Sequence, residues 1–263
     1  MGCLKICGHP VGAYVYDQLI EALMLQEKVV SHHSHMMTFL VPNRLCRYRA
    51  DTFSTKEPDT LEWIDLIPEG SVLWDVGANV GIYSVYAAKV RNCQVYSFEP
   101  SVFNLELLAR NIFVNDLQDR ITIFPIALND SLGANLFKLS STSWGGALSS
   151  FAHDVDDSGG KMNGIFDYRT IGMTMNDAVN LLNVPRPHYI KIDVDGIEHL
   201  VLAGGVSILR EVNSVLIELP GVWKEQTEMA ERYLLDAGLR LVRGHKYDPV
   251  LNPYVSANQI WSR

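Results

Sequence analysis

Short apolar runs alternate with helix-period segments along most of this chain. Five runs are apolar nearly throughout: Val72–Asp75, Val95–Glu99, Ile121–Ala127, Tyr189–Asp193 and Val215–Leu219. Runs of that length and continuity mark strands covered on both faces. Between them, helical periodicity begins near Ile82, Val102, Met175 and Ile197. The alternation predicts an α/β fold, a doubly wound, mostly parallel sheet. A further helix is expected over Trp223 to Ala237, then strands at Leu239–Val242 and Gln259–Trp261. Ahead of the core, residues 12 to 30 read as an amphipathic helix. Tyr14, Leu19, Ala22, Leu23 and Leu25 form its apolar side, and Asp17, Glu21 and Glu27 break the polar side. It is expected to cap the core or to form a homodimer contact. Thr38 to Tyr48 reads as strand–turn–strand around Pro42-Asn43. The chain thus divides into an N-terminal helix-and-strand extension, residues 1–50, and a main domain, residues 51–263.

One segment breaks the pattern. Residues 140 to 168 are rich in Ser, Gly and Asp and carry Trp144, Phe151, His153, Phe166 and Tyr168. A long irregular insertion with exposed aromatics is expected to form a lid over a substrate.

The first core run ends in Asp75, and Val76-Gly77-Ala78-Asn79-Val80-Gly81 follows before the helix. Gly77 and Gly81 permit backbone conformations and a close ligand approach that a side chain would block. The second run ends in Glu99, roughly 20 residues further on, where such folds place a carboxylate on ribose hydroxyls. A dinucleotide fingerprint would need glycines at Asn79 and Ile82, and no phosphate-cradling loop follows the strand. An adenosine without phosphates, bearing a cation, fits both exclusions. S-adenosylmethionine is such a ligand.

Asp75-Val-Gly-Ala-Asn-Val-Gly81 resembles the first motif of class I S-adenosylmethionine-dependent methyltransferases. More narrowly, the chain resembles the FkbM family. Lys56-Glu57-Pro58-Asp59-Thr60-Leu61-Glu62-Trp63-Ile64 resembles that family's segment leading into the first strand. Phe98-Glu99-Pro100 with Asn104, Leu108, Asn111 and Asn115 resembles its second strand and helix. Tyr189 to Glu198 resembles its most diagnostic block, and Leu216 to Leu219 its fifth strand. The resemblance runs from about Thr38 onward and departs from the pattern at Asp195, where glutamate is more usual. It implies a seven-stranded Rossmann-like methyltransferase sheet closed by an antiparallel pair. It also implies cofactor contacts at Glu57, Thr60, Asp75, Gly77, Ala78, Asn79, Gly81, Glu99, Pro100, Asn104, Ala127 and Asp193. Glu57 and Thr60 are expected at the methionine end; the alternative is a helix cap using Asp59 and Thr60. Known members act on sugars and polyketides.

Composition narrows the partners. The chain has 263 residues, 48% hydrophobic and 20% charged, ordinary for one globular enzyme domain. A net charge of -8 argues against a nucleic-acid partner. No stretch reaches the length of a membrane span, and no signal peptide is read, so a cytoplasmic location is expected. Gly2 suggests myristoylation, but Ile6 stands where Ser or Thr is needed. Cys3, Cys7 and His9 invite a metal knuckle, yet no second ligand pair follows, and reduced thiols are the preferred reading. His32, His33 and His35 are read as a solvated loop in preference to a metal site.

Methyl transfer from a sulfonium needs in-line alignment and a place for the acceptor's proton. Lys191 lies inside an apolar run, where a lone ammonium is costly. Alternation puts Tyr189, Lys191 and Asp193 on one side, with Glu218 a neighbour on the next strand. Lys191, Asp193 and Glu198 are the catalytic candidates, with Asp193 or Glu198 taking a hydroxyl proton. A divalent cation on Asp193, Asp195 and Glu218 is the less favoured mechanism. His199 is expected to pack or meet solvent, and His153 in the lid is the better histidine. The expected activity is O-methylation of a hydroxyl on a sugar, glycan or polyketide-like small molecule. The rivals are N-methylation, disfavoured because Asp193-Val194-Asp195-Gly196 replaces an [ND]-P-P-[YF] string, and cofactor binding without catalysis.

Overall fold

The computed structural model describes residues 9–156, 158–219, 222–244 and 258–263. Cys3, Cys7, Gly2 and Ile6 lie outside these. Helix α1 (Pro10–Met24) is followed by a hairpin, β1 (Glu27–His32) and β2 (His35–Leu40). The expected helix over 12–30 therefore stops early, and residues 27–30 are strand. None of the α1 side chains is buried, so its apolar face does not cap the core within the chain. Helix α2 (Arg44–Asp51) replaces the second strand expected around Pro42-Asn43. Asn43 is its N-cap, accepting from the Cys46 amide at 2.8 Å, so the turn signal was a helix start. Helices α3 (Phe53–Lys56) and α4 (Pro58–Asp65) complete the approach to the sheet.

The core then alternates as its apolar runs predict. It comprises β3 (Val72–Val76), α5 (Ile82–Arg91), β4 (Gln94–Phe98), α6 (Val102–Val114) and β5 (Ile121–Phe124). A side sheet follows, built of β6 (Ala127–Leu128), β7 (Gly133–Leu139), β8 (Ser149–Phe151) and β9 (Phe166–Met173). The chain continues through α7 (Met175–Leu182), β10 (Tyr189–Ile192), α8 (Glu198–Ala203), α9 (Val206–Leu209) and β11 (Ser214–Glu218). Helix α10 (Lys224–Asp236), β12 (Arg240–Gly244) and β13 (Asn258–Ser262) close it. The seven-stranded order is β12-β13-β11-β10-β3-β4-β5. Strands β11, β10, β3, β4 and β5 are mutually parallel, and β13 runs antiparallel to both neighbours. Among the described residues no helix is long and apolar enough to cross a membrane.

Strand alternation sorts the core into two layers. Leu73, Val95 and Leu216 pack with Val85, Tyr86 and Leu108 on one face. Trp74, Val76, Phe98, Ile190, Ile192 and Ile217 pack with Val201 and Leu202 on the other. Met37, Phe39 and Leu40 of the hairpin join the first layer, so the segment before residue 50 shares that core. Two expectations need correction. The run Ile121–Ala127 is split: β5 stays in the main sheet and Ala127 begins β6 in the side sheet. The expected irregular lid supplies β8 and the start of β9, pairing with β7 over Leu139↔Ser149 and Leu139↔Phe166. Phe151 is buried there. Strand β7 begins with four exposed residues, which hid it from an apolar-run search.

Candidate active site

The chain leaves β3 for β4 and β5 on one side and later adds β10 and β11 on the other. The β3–β10 boundary is thus the sheet's switch point, where ligands of open α/β folds bind beyond the strand ends. Register sets Leu216, Lys191, Asp75 and Ser97 side by side across β11, β10, β3 and β4. The side chains at Lys191, Asp75 and Ser97 form a polar row on an otherwise apolar face. Ser84, from α5 above, donates to Asp75 Oδ2 at 2.5 Å and lies 2.8 Å from the Ser97 hydroxyl. Asp75 Oδ1 finds no hydrogen-bond partner among the described residues. Asp75 is 1% exposed and does not line the cleft; it sits beneath it. Burial raises its pKa and the Lys191 charge opposes that rise.

Lys191 is also buried, with Nζ donating to Asp193 Oδ2 at 2.8 Å and standing 5.1 Å from the Tyr83 ring centre. Burial works against its charge, but Asp193, Asp75 and Glu57 outweigh it and hold the ammonium protonated. Asp193 reaches the end of β10 with its side chain 28% exposed. Burial opposes its charge too, yet Lys191 and a hydrogen bond from Glu218 keep it well below the usual carboxylate range. Glu218 is correspondingly pushed well above its range, by the Asp193 charge and then by burial. The two carboxyls therefore share one proton, carried on Glu218.

The turn after β3 is fixed by close packing. Gly77 has φ 80°, and a Cβ there would lie 1.9 Å from the Asp193 carbonyl oxygen. Gly81 has φ 79°, and its Cβ would meet Leu108 at 2.3 Å. The space that Gly81 frees is filled by α6, not left for a ligand. Gly77 and Ala78 donate their amides to the Phe98 carbonyl, and the Asn79 amide to Glu99 Oε2 at 2.7 Å. Glu99 Oε1 accepts from the Ser101 amide at 2.7 Å. Burial raises the Glu99 pKa to about 7.

Two lobes meet at this turn. The larger, about 270 Å³, is lined by Arg49, Lys56, Glu57, Tyr83, Lys191 and Glu218, among others. The smaller has apolar walls at Phe98, Pro100, Ile126, Ala127, Phe137 and Phe151, with Glu99 and Asn104 as polar groups. Gly77, Asn79, Asp193 and Asp195 line both. Glu57 is saturated: Lys56 Nζ and Thr60 Oγ1 donate to it at 2.7 and 3.3 Å, with Asn258 Nδ2 at 3.5 Å. It makes no side-chain cap bond to α4, so the capping alternative for this segment is not what the geometry shows. Thr60 is fully buried behind it and accepts from Asn258 at 3.0 Å.

Residues 140 to 150 strap the site. The Gly146 carbonyl accepts from Asn79 Nδ2 at 2.8 Å and Asn104 Nδ2 at 3.1 Å, and Asn104 Oδ1 accepts from the Gly145 amide. Asp195, at φ 60°, accepts from the Leu148 and Ser149 amides at 2.8 and 3.3 Å. Glu198 is buried; its Oε1 accepts from the Val194 and Gly196 amides at 3.3 and 3.2 Å, and its Oε2 from Gln226. These bonds buckle the β10–α8 turn, and burial raises its pKa to about 7. His199 packs against Trp223 at 5.4 Å, while His153 is exposed. Among the described residues one grouping could bring three metal-ligand atoms together, His32, His33 and Asp65 on the hairpin side, and none of these lines either lobe. Sequence reasoning missed Tyr83 and Arg49. Tyr83 could have been found as the second residue of the helix that opens on the glycine turn.

Two carboxyls with raised pKa set a pH dependence. Glu99 and Glu198 keep their protons to about pH 7 when folded but lose them near 4.5 when unfolded. Unfolding between those values releases protons, so stability falls as pH rises through that window. The ligand-free protein should melt at a lower temperature at pH 8 than at pH 5.5, by about 2–4 °C for each kcal/mol lost. A scanning-calorimetry midpoint that is flat or rises over that range would contradict both placements.

The fold and site define a Rossmann-like α/β protein with a nucleoside-type crevice at the switch point of its sheet. The chain belongs to the FkbM methyltransferase domain family, which matches residues 75–241. It is 31% identical over 155 residues to the hexuronic acid methyltransferase AglP of Haloferax volcanii, covering 57% of this chain and 56% of that protein. The chain thus spans little more than half of that relative. Solved structures with a similar fold include the fibrillarin of Aeropyrum pernix with natively bound S-adenosyl-L-methionine (TM-score 0.46, 12% identity, 91% of this chain and 84% of that one). Another is the fibrillarin of Methanococcus jannaschii (TM-score 0.47, 11% identity, 91% and 83%).

Proposed function

We propose that this chain is an S-adenosylmethionine-dependent O-methyltransferase acting on a hydroxyl of a sugar or glycan. The observation that carries the reading is Asp193, kept ionised at the place where both lobes meet. The small lobe offers apolar walls for a base and the Glu99 carboxylate for ribose hydroxyls. The glycine turn and the Glu57 side of the large lobe suit the amino-acid end of the donor. When bound, the donor supplies an electrophilic methyl on a sulfonium. The chain's own part is to align an acceptor hydroxyl beside Asp193 and to take its proton there. Lys191 keeps Asp193 charged, and Glu218 supports it by hydrogen bonding. Alignment of this kind supplies about 7–11 kcal/mol in favourable cases. Glu198 has both oxygens occupied, which favours a positioning role over that of the base.

The sugar acceptor is supported by the relative's name alone. Purified protein with isotopically labelled donor should place one methyl on oxygen in a panel of uronic and neutral glycans, with chelator present or absent. Donor binding without transfer across the panel would leave a non-catalytic binding protein. A product methylated on nitrogen would replace the reading outright.

Glu99→Ala should weaken donor binding by about 1–3 kcal/mol if the carboxylate holds the ribose. Isothermal calorimetry showing unchanged affinity in a folded variant would remove Glu99 from the contact.

A further inference from the structure

The large lobe is acidic at its floor, with Glu57, Asp193 and Glu218, in a chain of net charge -8. Its rim is different. Arg49 from α2 and Lys56 from α3 both line it, close enough for their charges to repel. Lys56 is neutralised by Glu57 at 2.7 Å. Arg49 is not neutralised: among the described residues no carboxylate lies within ion-pair distance of it. Its Nε and Nη2 both donate to the Gly145 carbonyl, at 3.1 and 2.7 Å. That clamp fixes one edge of the guanidinium and leaves Nη1 and the second Nη2 hydrogen to donate. Two parallel N–H groups on a planar cation match a carboxylate bidentately. A half-buried guanidinium held rigid without a counter-charge has its side-chain freedom already spent before any ligand arrives.

We propose that Arg49 binds a carboxylate of the acceptor, so that the enzyme selects acidic sugars, uronic acids as a class, over neutral ones. The proposal rests on the methyltransferase reading above. Arg49 is fastened to the strap at Gly145, on the rim of the cleft, whereas the donor contacts cluster at the strand ends and the glycine turn. The carboxylate it reads therefore belongs to the acceptor and not to the methionine end of the donor. Lys56, already paired, adds a long-range attraction for the same anion.

The test compares glucuronate with glucose on protein saturated with S-adenosylhomocysteine, by calorimetry, beside methyl-transfer rates on matched uronic and neutral glycosides. Glucuronate should bind and glucose should not. Arg49→Met should weaken glucuronate binding about 10- to 100-fold, the range for a charge-assisted pair, with donor affinity unchanged. Arg49→Gln, which retains a donor toward Gly145, guards against a folding failure and should lose the same discrimination. Equal binding of the two sugars, or no binding of either, would overturn the proposal. So would a loss of donor affinity in either variant, which would assign the guanidinium to the methionine carboxylate. Methylation of neutral glycans alone would sink this inference and leave the O-methyltransferase reading standing. Glucuronate binding through Arg49 with no transfer to any glycan would do the reverse.

Discussion

Asp193→Asn should lower the single-turnover rate of methyl transfer by about 100- to 10,000-fold, the usual worth of a positioned proton acceptor. Donor affinity should fall far less. The isosteric amide keeps the shape at the end of β10 and the close contact between Gly77 and the Asp193 backbone, but it can no longer receive a proton. A secondary effect follows from the shared proton. Glu218 is held protonated chiefly by the Asp193 charge. Once that charge is removed, Glu218 ionises more readily and becomes the anion nearest Lys191. The variant should therefore remain folded with its lysine still paired. Full activity in a folded Asp193→Asn protein would move the chemistry away from the fourth core strand in sequence order.

Lys191→Met is expected to cost about 3–5 kcal/mol of stability, because it strips the cation from a buried carboxylate cluster. Asp75 is 1% exposed and hydrogen-bonded only through Ser84 among the described residues, so it would have to take up a proton. Asp193 would follow, its pKa rising toward neutrality, and the rate would drop with the loss of its charge. Adding Asp75→Asn should restore part of the stability and none of the rate. Urea titration and single-turnover kinetics on the single and double variants separate the two roles. A Lys191→Met protein that loses stability yet keeps its rate would make the lysine purely structural.

The chemistry-bearing strand ends were legible because they interrupt apolar runs. A lysine inside Tyr189–Ile192 and acids at Asp75, Glu99 and Glu218 have no place in a buried sheet without a task. The direction of each side chain was not legible. Asp75 reads as a ligand-facing carboxylate, yet strand register turns it onto the covered face beside Lys191, under Ser84. Asp195 and Asn104 read as cofactor or metal groups, yet each binds backbone of the strap, which lies more than forty residues away in sequence in both cases. Such pairings arise from tertiary closure, and no local period encodes them. The hairpin and α2 were partly misread for a related reason. Pro42-Asn43 is chemically as good a helix start as a turn, and only the Cys46 amide decides between them.

The antiparallel strand β13 carries Asn258, which donates to Thr60 Oγ1 and approaches Glu57 Oε2, a partner 201 positions upstream. At a synthesis rate of about 5–20 residues per second, the upstream pair waits roughly 10–40 s for it. During that interval the ribosome-bound chain has the glycine turn, Glu99 and Asp193 but not the finished polar knot at Glu57. The edge of β11 stays uncovered as well, because β13 is its missing neighbour. Cellular donor therefore cannot template this fold as it emerges. The methionine end of the site is the last part of the molecule to mature, and the nascent chain depends on chaperone shielding of an open parallel sheet until then.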